Sequence, residues 1–279
     1  MTDRARLVTR LLPLALVVAL AVAWPLAAPA WLRLATPEDG AALGMRAALD
    51  ALPDDPIVLV GFDPDLGTYA EIRPTVRGLL ADLLARDARL AFVSLTPEGR
   101  ALAIAELARL RRGEANAARL VDLGFIAGAE AGLVDLTRGL APAAVDGALS
   151  RTLAGEGMAA VDGVAVIGGN DLGPRSWVEQ VRPRVEEVPI VAITPTILLP
   201  EVQPYVSGGQ LAAVLATPRD GAAYRDGLEL GNLARLAEER EPSSLPVLIG
   251  LIAAIAVLGQ GLTARLAAAI RAARGREPA

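Results

Sequence analysis

Two kinds of apolar pattern run along this chain. Near each end lies an unbroken apolar stretch, and between them short apolar runs alternate with helical periodicity. Residues 11–32 and 245–264 carry no charge. About 20 apolar residues span a bilayer core as a helix, so both stretches are expected to be transmembrane helices. For the first, the alternative is a cleaved signal peptide. Arg4, Arg6 and Arg10 make a basic start, and Ala28-Pro29-Ala30 has the small residues of a cleavage site. For the second, the alternative is a buried core helix. Ala15, Ala19 and Ala23, and Gly250 with Ala254, put small residues four apart, a spacing that lets helices pack closely in lipid.

The pattern between these stretches predicts an α/β domain. Residues 56–62 form a near-continuous apolar run, as a parallel strand buried on both faces would. Pro74 is expected to open a helix to about residue 86, with Leu79, Leu80, Leu83 and Leu84 on one face. Residues 89–95 read as the second strand. Thr96 then caps a helix, with Pro97 in its first turn and Glu98 at the positive end of its dipole. That helix runs to about residue 112, and Gly113 ends it. Further strands are expected at 120–126, 161–167, 188–194 and 211–216, with helices at 130–138, 174–184 and 219–239. Residues 139–160 read as loop with a short helix. Strands alternating with helices imply a mostly parallel, Rossmann-like or flavodoxin-like sheet of five to six strands. The flavodoxin-like strand order is taken as the starting expectation.

Charge orients the chain. The outer flanks carry Arg4, Arg6 and Arg10 at one end and Arg265, Arg271, Arg274 and Arg276 at the other. An excess of Arg marks the cytoplasmic side. Both termini are therefore expected in the cytoplasm. The expected organisation is an N-terminal anchor (1–33), an extracytoplasmic domain (34–243), a second span (244–264) and a basic tail (265–279). The central segment holds nineteen Arg against thirty acids, a net charge of −11. That argues against nucleic acid or anionic lipid as a partner of the domain. The membrane itself, and another membrane protein, are the expected partners.

Composition removes most familiar chemistry. The 279 residues include no His and no Cys, and every one of the 27 basic residues is Arg. Serine–histidine and cysteine–histidine nucleophiles, Cys or His zinc sites and a P-loop lysine are all impossible. Carboxylates, hydroxyls, amides and backbone groups remain.

Open α/β sheets bind ligands beyond the carboxyl ends of their strands. The polar residues expected there are Asp63, Asp65 and Glu71, then Ser94 and Thr96, then Glu130, then Asn170 and Asp171, then Thr194. Tyr205, Ser207 and Gln210 stand in a Pro- and Gly-rich segment leading to the last strand, readable as a binding loop or as a crossover. Asp63, Asp65 and Asp171 could hold Mg²⁺ or Ca²⁺; no cofactor is fixed by the sequence, and Mg²⁺ is the candidate. The commoner role for such residues is as turn and cap residues. Gly168-Gly169-Asn170 could cradle phosphate or form a tight turn.

Two resemblances follow from these motifs. Asp63-Pro64-Asp65 after one strand and Ser94 ending the next resemble the phosphatase motifs of haloacid dehalogenase-like enzymes. That resemblance implies Asp63 as nucleophile, Asp65 as acid/base, Ser94 on phosphate and Asn170-Asp171 at a metal. The chain departs from it in having Gly67 where Thr or Val is usual, with Thr68 one place on, and in having no Lys. More of the chain resembles an uncharacterised family of prokaryotic membrane proteins. The segments are Phe62-Asp63-Pro64-Asp65, Ala70-Glu71-Ile72-Arg73-Pro74, Ser94-Leu95-Thr96-Pro97-Glu98-Gly99, Val121-Asp122-Leu123-Gly124-Phe125, Pro204-Tyr205-Val206-Ser207-Gly208-Gly209-Gln210-Leu211 and Gly221-Ala222-Ala223-Tyr224. Here two glycines replace one between Ser and Gln, and Ala223 replaces an acid. The resemblance implies an α/β domain between two transmembrane segments and no activity.

Three functions are expected in turn. The first is an extracytoplasmic domain binding a ligand or partner protein. The second is a metal-assisted hydrolase using the strand-end carboxylates. The third is an accessory subunit of a membrane transport complex.

Overall fold

A six-stranded parallel sheet forms the centre of the domain, in the order β3-β2-β1-β4-β5-β6. The computed structural model describes residues 39–112, 117–139, 147–185 and 187–237. They belong to one compact unit, Ala35–Glu239. The expected spans at 11–32 and 245–264, the stop at Gly113 and the basic tail lie outside the described residues. Among the described residues no helix is long and apolar enough to cross a membrane.

Helix α1 (Gly40–Asp50) precedes β1 (Ile57–Asp63). Then come α2 (Leu66–Ala85), β2 (Arg89–Ser94), α3 (Pro97–Arg112), β3 (Leu120–Phe125), α4 (Glu130–Arg138) and α5 (Ala148–Glu156). The second half runs β4 (Gly163–Gly168), α6 (Pro174–Gln180), β5 (Ile190–Ile193), α7 (Leu199–Ser207), β6 (Ala213–Leu215), α8 (Pro218–Asp226) and α9 (Ala234–Ala237). Every residue of β1, β4, β5 and β6 is buried. This is why their sequences read as unbroken apolar runs rather than alternations.

Alternate strand residues feed two cores. Val58, Val60 and Phe62 pack with α1, α2, α3, α8 and α9 on one face. Ile57, Leu59 and Val164 pack with α4, α5, α6 and α7 on the other. Burying one such Val, Leu or Phe stabilises the fold by roughly 1.5–3 kcal/mol. Gly61 is the exception on β1, because a Cβ there would lie 2.3 Å from the Trp177 ring. The missing side chain lets the buried indole of α6 approach the strand closely.

The structure differs from the sequence expectation in several places. The strand order is not flavodoxin-like. β1 and β4 pair from Val58↔Gly163 to Asp63↔Gly168, which puts the change of winding direction between them. Helix α2 begins eight residues before Pro74, because the Asp65 carboxylate caps it by accepting from Gly67 N at 3.2 Å. Pro74 therefore sits inside the helix. The segment before β6 is helix α7, not a loop, through Ser207. Residues 219–239 do not form one helix. α8 stops at Asp226, where a Cβ at the capping Gly227 would overlap the Arg46 guanidinium, and Gly231 turns the chain at φ +53°. Helix α6 is shorter than expected, ending at Gln180 before a 3₁₀ turn at Arg182–Arg184.

Candidate functional site

The carboxyl edge of the sheet collects the loops after β1, β2, β3, β4 and β5. Asp63 closes β1 and is 1% exposed. Its Oδ1 accepts three hydrogen bonds, from Leu95 N at 2.7 Å, Thr96 N at 2.8 Å and Thr96 Oγ1 at 2.9 Å. Thr96 Oγ1 in turn accepts from Gly99 N at 3.0 Å, so the cap of α3 and the end of β1 are one unit. Gly99 has to be glycine here, because a Cβ would stand 2.5 Å from Phe62 O and 2.7 Å from Asp63 Cα. Asp63 Oδ2 is buried without a hydrogen-bond partner in the structure. Burial pushes its pKa up to about 6, against the lowering effect of the bonds from Leu95 and Thr96.

Asn170 joins the same corner. Its Nδ2 donates to Asp63 O at 3.0 Å, and its Oδ1 accepts from Leu172 N at 2.9 Å. The second bond is an Asx turn. Gly173 N donates to Asn170 O at 2.9 Å and completes the tight connection into α6. Gly169 lies so close to α2 that a Cβ would be 2.7 Å from Thr68 Oγ1 and 3.0 Å from Asp65 N. In the crevice between β1 and β4, where doubly wound sheets bind nucleotides, Gly169 thus stands directly against the start of α2. The start of α2, a natural phosphate seat, is covered by its own Asp65 carboxylate.

The other expected residues separate into smaller sets. Glu71 Oε1 lies 3.0 Å from Thr196 N and 2.7 Å from Thr196 Oγ1, tying α2 to the loop after β5. That hydroxyl also lies 2.9 Å from Ala216 O, and its single proton serves one acceptor at a time. Ser176 Oγ stands between Glu130 Oε1 at 3.2 Å and Asp171 O at 2.7 Å. The Asp171 side chain is exposed. Ser94 and Thr194 are fully buried, and neither hydroxyl has a partner in the structure. Tyr205 donates to Glu179 Oε1 at 2.7 Å, between α7 and α6. Ser207 ends α7, and Gln210 precedes β6. These two lie at the amino edge of the sheet, away from Asp63. Among the described residues no group of three or more acids is placed to hold a metal ion. Asp63, Asp65 and Asp171 are divided between a buried tie, a helix cap and an exposed turn.

No known protein family, curated protein or solved structure matches the chain. The geometry of this edge therefore carries the functional reading. Beside its spent polar groups the edge exposes large apolar side chains. Leu66 follows β1 and is 61% exposed, Phe125 ends β3 at 48%, and Ile197 follows β5 at 79%. Sequence reasoning passed over all three, since a lone apolar residue in a loop gives no signal of its exposure. The signal present was the Pro-flanked run Pro195-Thr196-Ile197-Leu198-Leu199-Pro200. Of its apolar residues Ile197 is exposed, and Leu198 and Leu199 are half-buried.

Proposed function

We propose that residues 34–243 are a docking domain, held outside the membrane by spans at 11–32 and 245–264, that binds a partner protein through the carboxyl edge of its sheet. The observation that carries this reading is the exposure of Leu66, Phe125 and Ile197 near the carboxyl ends of three strands. A contiguous exposed apolar patch marks an interaction site. A role as accessory subunit of a membrane complex fits the same surface. The hydrolase reading draws less support: Asp65 is turned to its own helix end, and Asp63 Oδ1 is already engaged three times.

The test is a photo-cross-linking amino acid placed at Ile197 in the full-length protein in intact cells. Position Arg151, exposed on α5, serves as control. One discrete cross-linked protein from position 197 and none from 151 is the expected result. Equal cross-linking from both positions, or none from either, overturns the reading. So does turnover of phosphorylated small molecules by the purified protein that is lost in Asp63→Asn.

A further inference from the structure

The peptide bond between Asp63 and Pro64 leads from β1 towards α2, and both residues are buried. It is a tertiary amide, because the Pro64 nitrogen carries no hydrogen. When that nitrogen leaves a carbonyl carbon it becomes a secondary amine, which takes up a proton readily. The Asp63 carboxyl reaches its own carbonyl carbon through a five-membered ring, so no other residue has to deliver a nucleophile. Its Oδ1 is held by Leu95 N, Thr96 N and Thr96 Oγ1, whereas Oδ2 has no partner in the structure. Burial raises the pKa to about 6, so the carboxyl keeps its proton in mildly acidic solution. The Asp63 carbonyl oxygen accepts from Asn170 Nδ2 at 3.0 Å and from Gly169 N at 3.3 Å. Donors on that oxygen stabilise the negative charge it gains when the carbon is attacked.

The chain contains its own comparison. Asp55-Pro56 is the other Asp-Pro bond in the sequence. There the carboxylate is exposed and pairs with Arg89 at 3.3 Å. The same guanidinium donates to Asp55 O through Nη2 at 2.8 Å. This bond has the same covalent chemistry without burial, and with a cation on its carboxylate.

We infer that the domain cleaves its own chain between Asp63 and Pro64, with Asp63 as nucleophile and Asn170 and Gly169 as donors to the carbonyl oxygen. Oδ2 bonds to the Asp63 carbonyl carbon, the bond from that carbon to the Pro64 nitrogen breaks, and the carboxyl proton passes to the nitrogen. Asp63 is left as a cyclic anhydride. One water then opens the ring into two carboxyl groups, giving a piece that ends in Asp63 and a piece that begins with Pro64. Solvent lies one residue beyond Pro64, at exposed Asp65, and no other reactant is needed. Because β1 lies between β2 and β4, the two pieces stay together in the sheet after the cut. The activity is independent of the docking reading above.

The experiment incubates the purified full-length protein for several days at about pH 5.5, just below the raised pKa of Asp63. Denaturing electrophoresis and mass spectrometry read the products. A piece ending at Asp63 and a piece beginning at Pro64 are expected, with Asp55-Pro56 intact. Cleavage is expected to be about a hundredfold slower at about pH 8, where roughly one Asp63 carboxyl in a hundred keeps its proton. In urea at the lower pH the difference between the two Asp-Pro bonds is expected to vanish. Asp63→Glu needs a six-membered ring and Pro64→Ala gives a poorer leaving group, so each is expected to abolish the cut. Asn170→Ala is expected to slow it by at least about tenfold. Melting curves identify the variants that fold, and Pro64→Ala and Asn170→Ala carry the test if Asp63→Glu does not. A wild-type chain that stays whole, equal cleavage at both Asp-Pro bonds of the folded protein, or a cut that persists in folded Pro64→Ala overturns the inference.

Discussion

Asp63 shows how one residue can be structurally tied and energetically costly at once. Its Oδ1 holds β1 to the cap of α3, while Oδ2 is buried with no partner in the structure. Burial wins, and the folded pKa rises from 3.8 to about 6. A carboxyl raised in this way binds its proton more tightly in the folded state. Its contribution is therefore fully present below about pH 4 and is lost as the pH rises through about 6. The difference across that window is about 3 kcal/mol. Urea unfolding of the full-length protein between pH 4 and 8 should show this decline, and Asp63→Asn should flatten it. A wild-type midpoint that rises from pH 4 to 7 would refute the assignment. The neighbouring Asp65 carboxylate is exposed and caps a helix. The two acids of one short motif thus do different work because one is buried and the other is not.

At the scale of elements, helices α2 and α3 are joined by a buried acid that the sequence pattern concealed. Glu106 is 3% exposed on α3. It accepts from Tyr69 OH at 3.0 Å, Arg77 Nη2 at 2.8 Å and Arg109 Nε at 2.6 Å. Arg109 Nη1 carries the link on to Leu236 O in α9 at 2.7 Å. Burial alone would raise the Glu106 pKa, but the two guanidiniums overcome it and hold the pKa below its usual value. Burial, with Glu106 beside it, pushes Tyr69 upward. Glu106 therefore stabilises the fold above the ordinary glutamate range and loses that contribution as the pH falls through its lowered pKa. Removing one partner of a fully buried pair costs about 3–5 kcal/mol. Arg77 and Arg109 are 21% and 20% exposed, so Glu106→Gln is expected to cost roughly 2–4 kcal/mol. Chemical denaturation at pH 7 measures this, and a loss below about 0.5 kcal/mol, the level of an ordinary surface substitution, would mean the network is idle.

For the whole molecule, the absence of Cys makes topology simple to test. A single Cys at Ser207, exposed at the end of α7, is expected to react with a membrane-impermeant maleimide in intact cells. A single Cys at Ala273 in the Arg-rich tail is expected to react only after permeabilisation. Labelling in the reverse order would invert the proposed orientation. The strands and most helices of the central domain were legible in the sequence, because a parallel strand buried on both faces must be an apolar run and because caps such as Thr96-Pro97 are local chemistry. Composition likewise excluded His, Cys and Lys chemistry without any structure. The strand order was not legible. It depends on β1 pairing with β4 across about a hundred residues, and no local pattern encodes that choice. Nor was the fate of the strand-end residues. Asp63 became a buried tie, Asn170 a turn and Ile197 a surface because of what folded next to each. A side chain's type states what bonds it can make, but only the tertiary packing decides which groups are near enough to make them and which are left facing water.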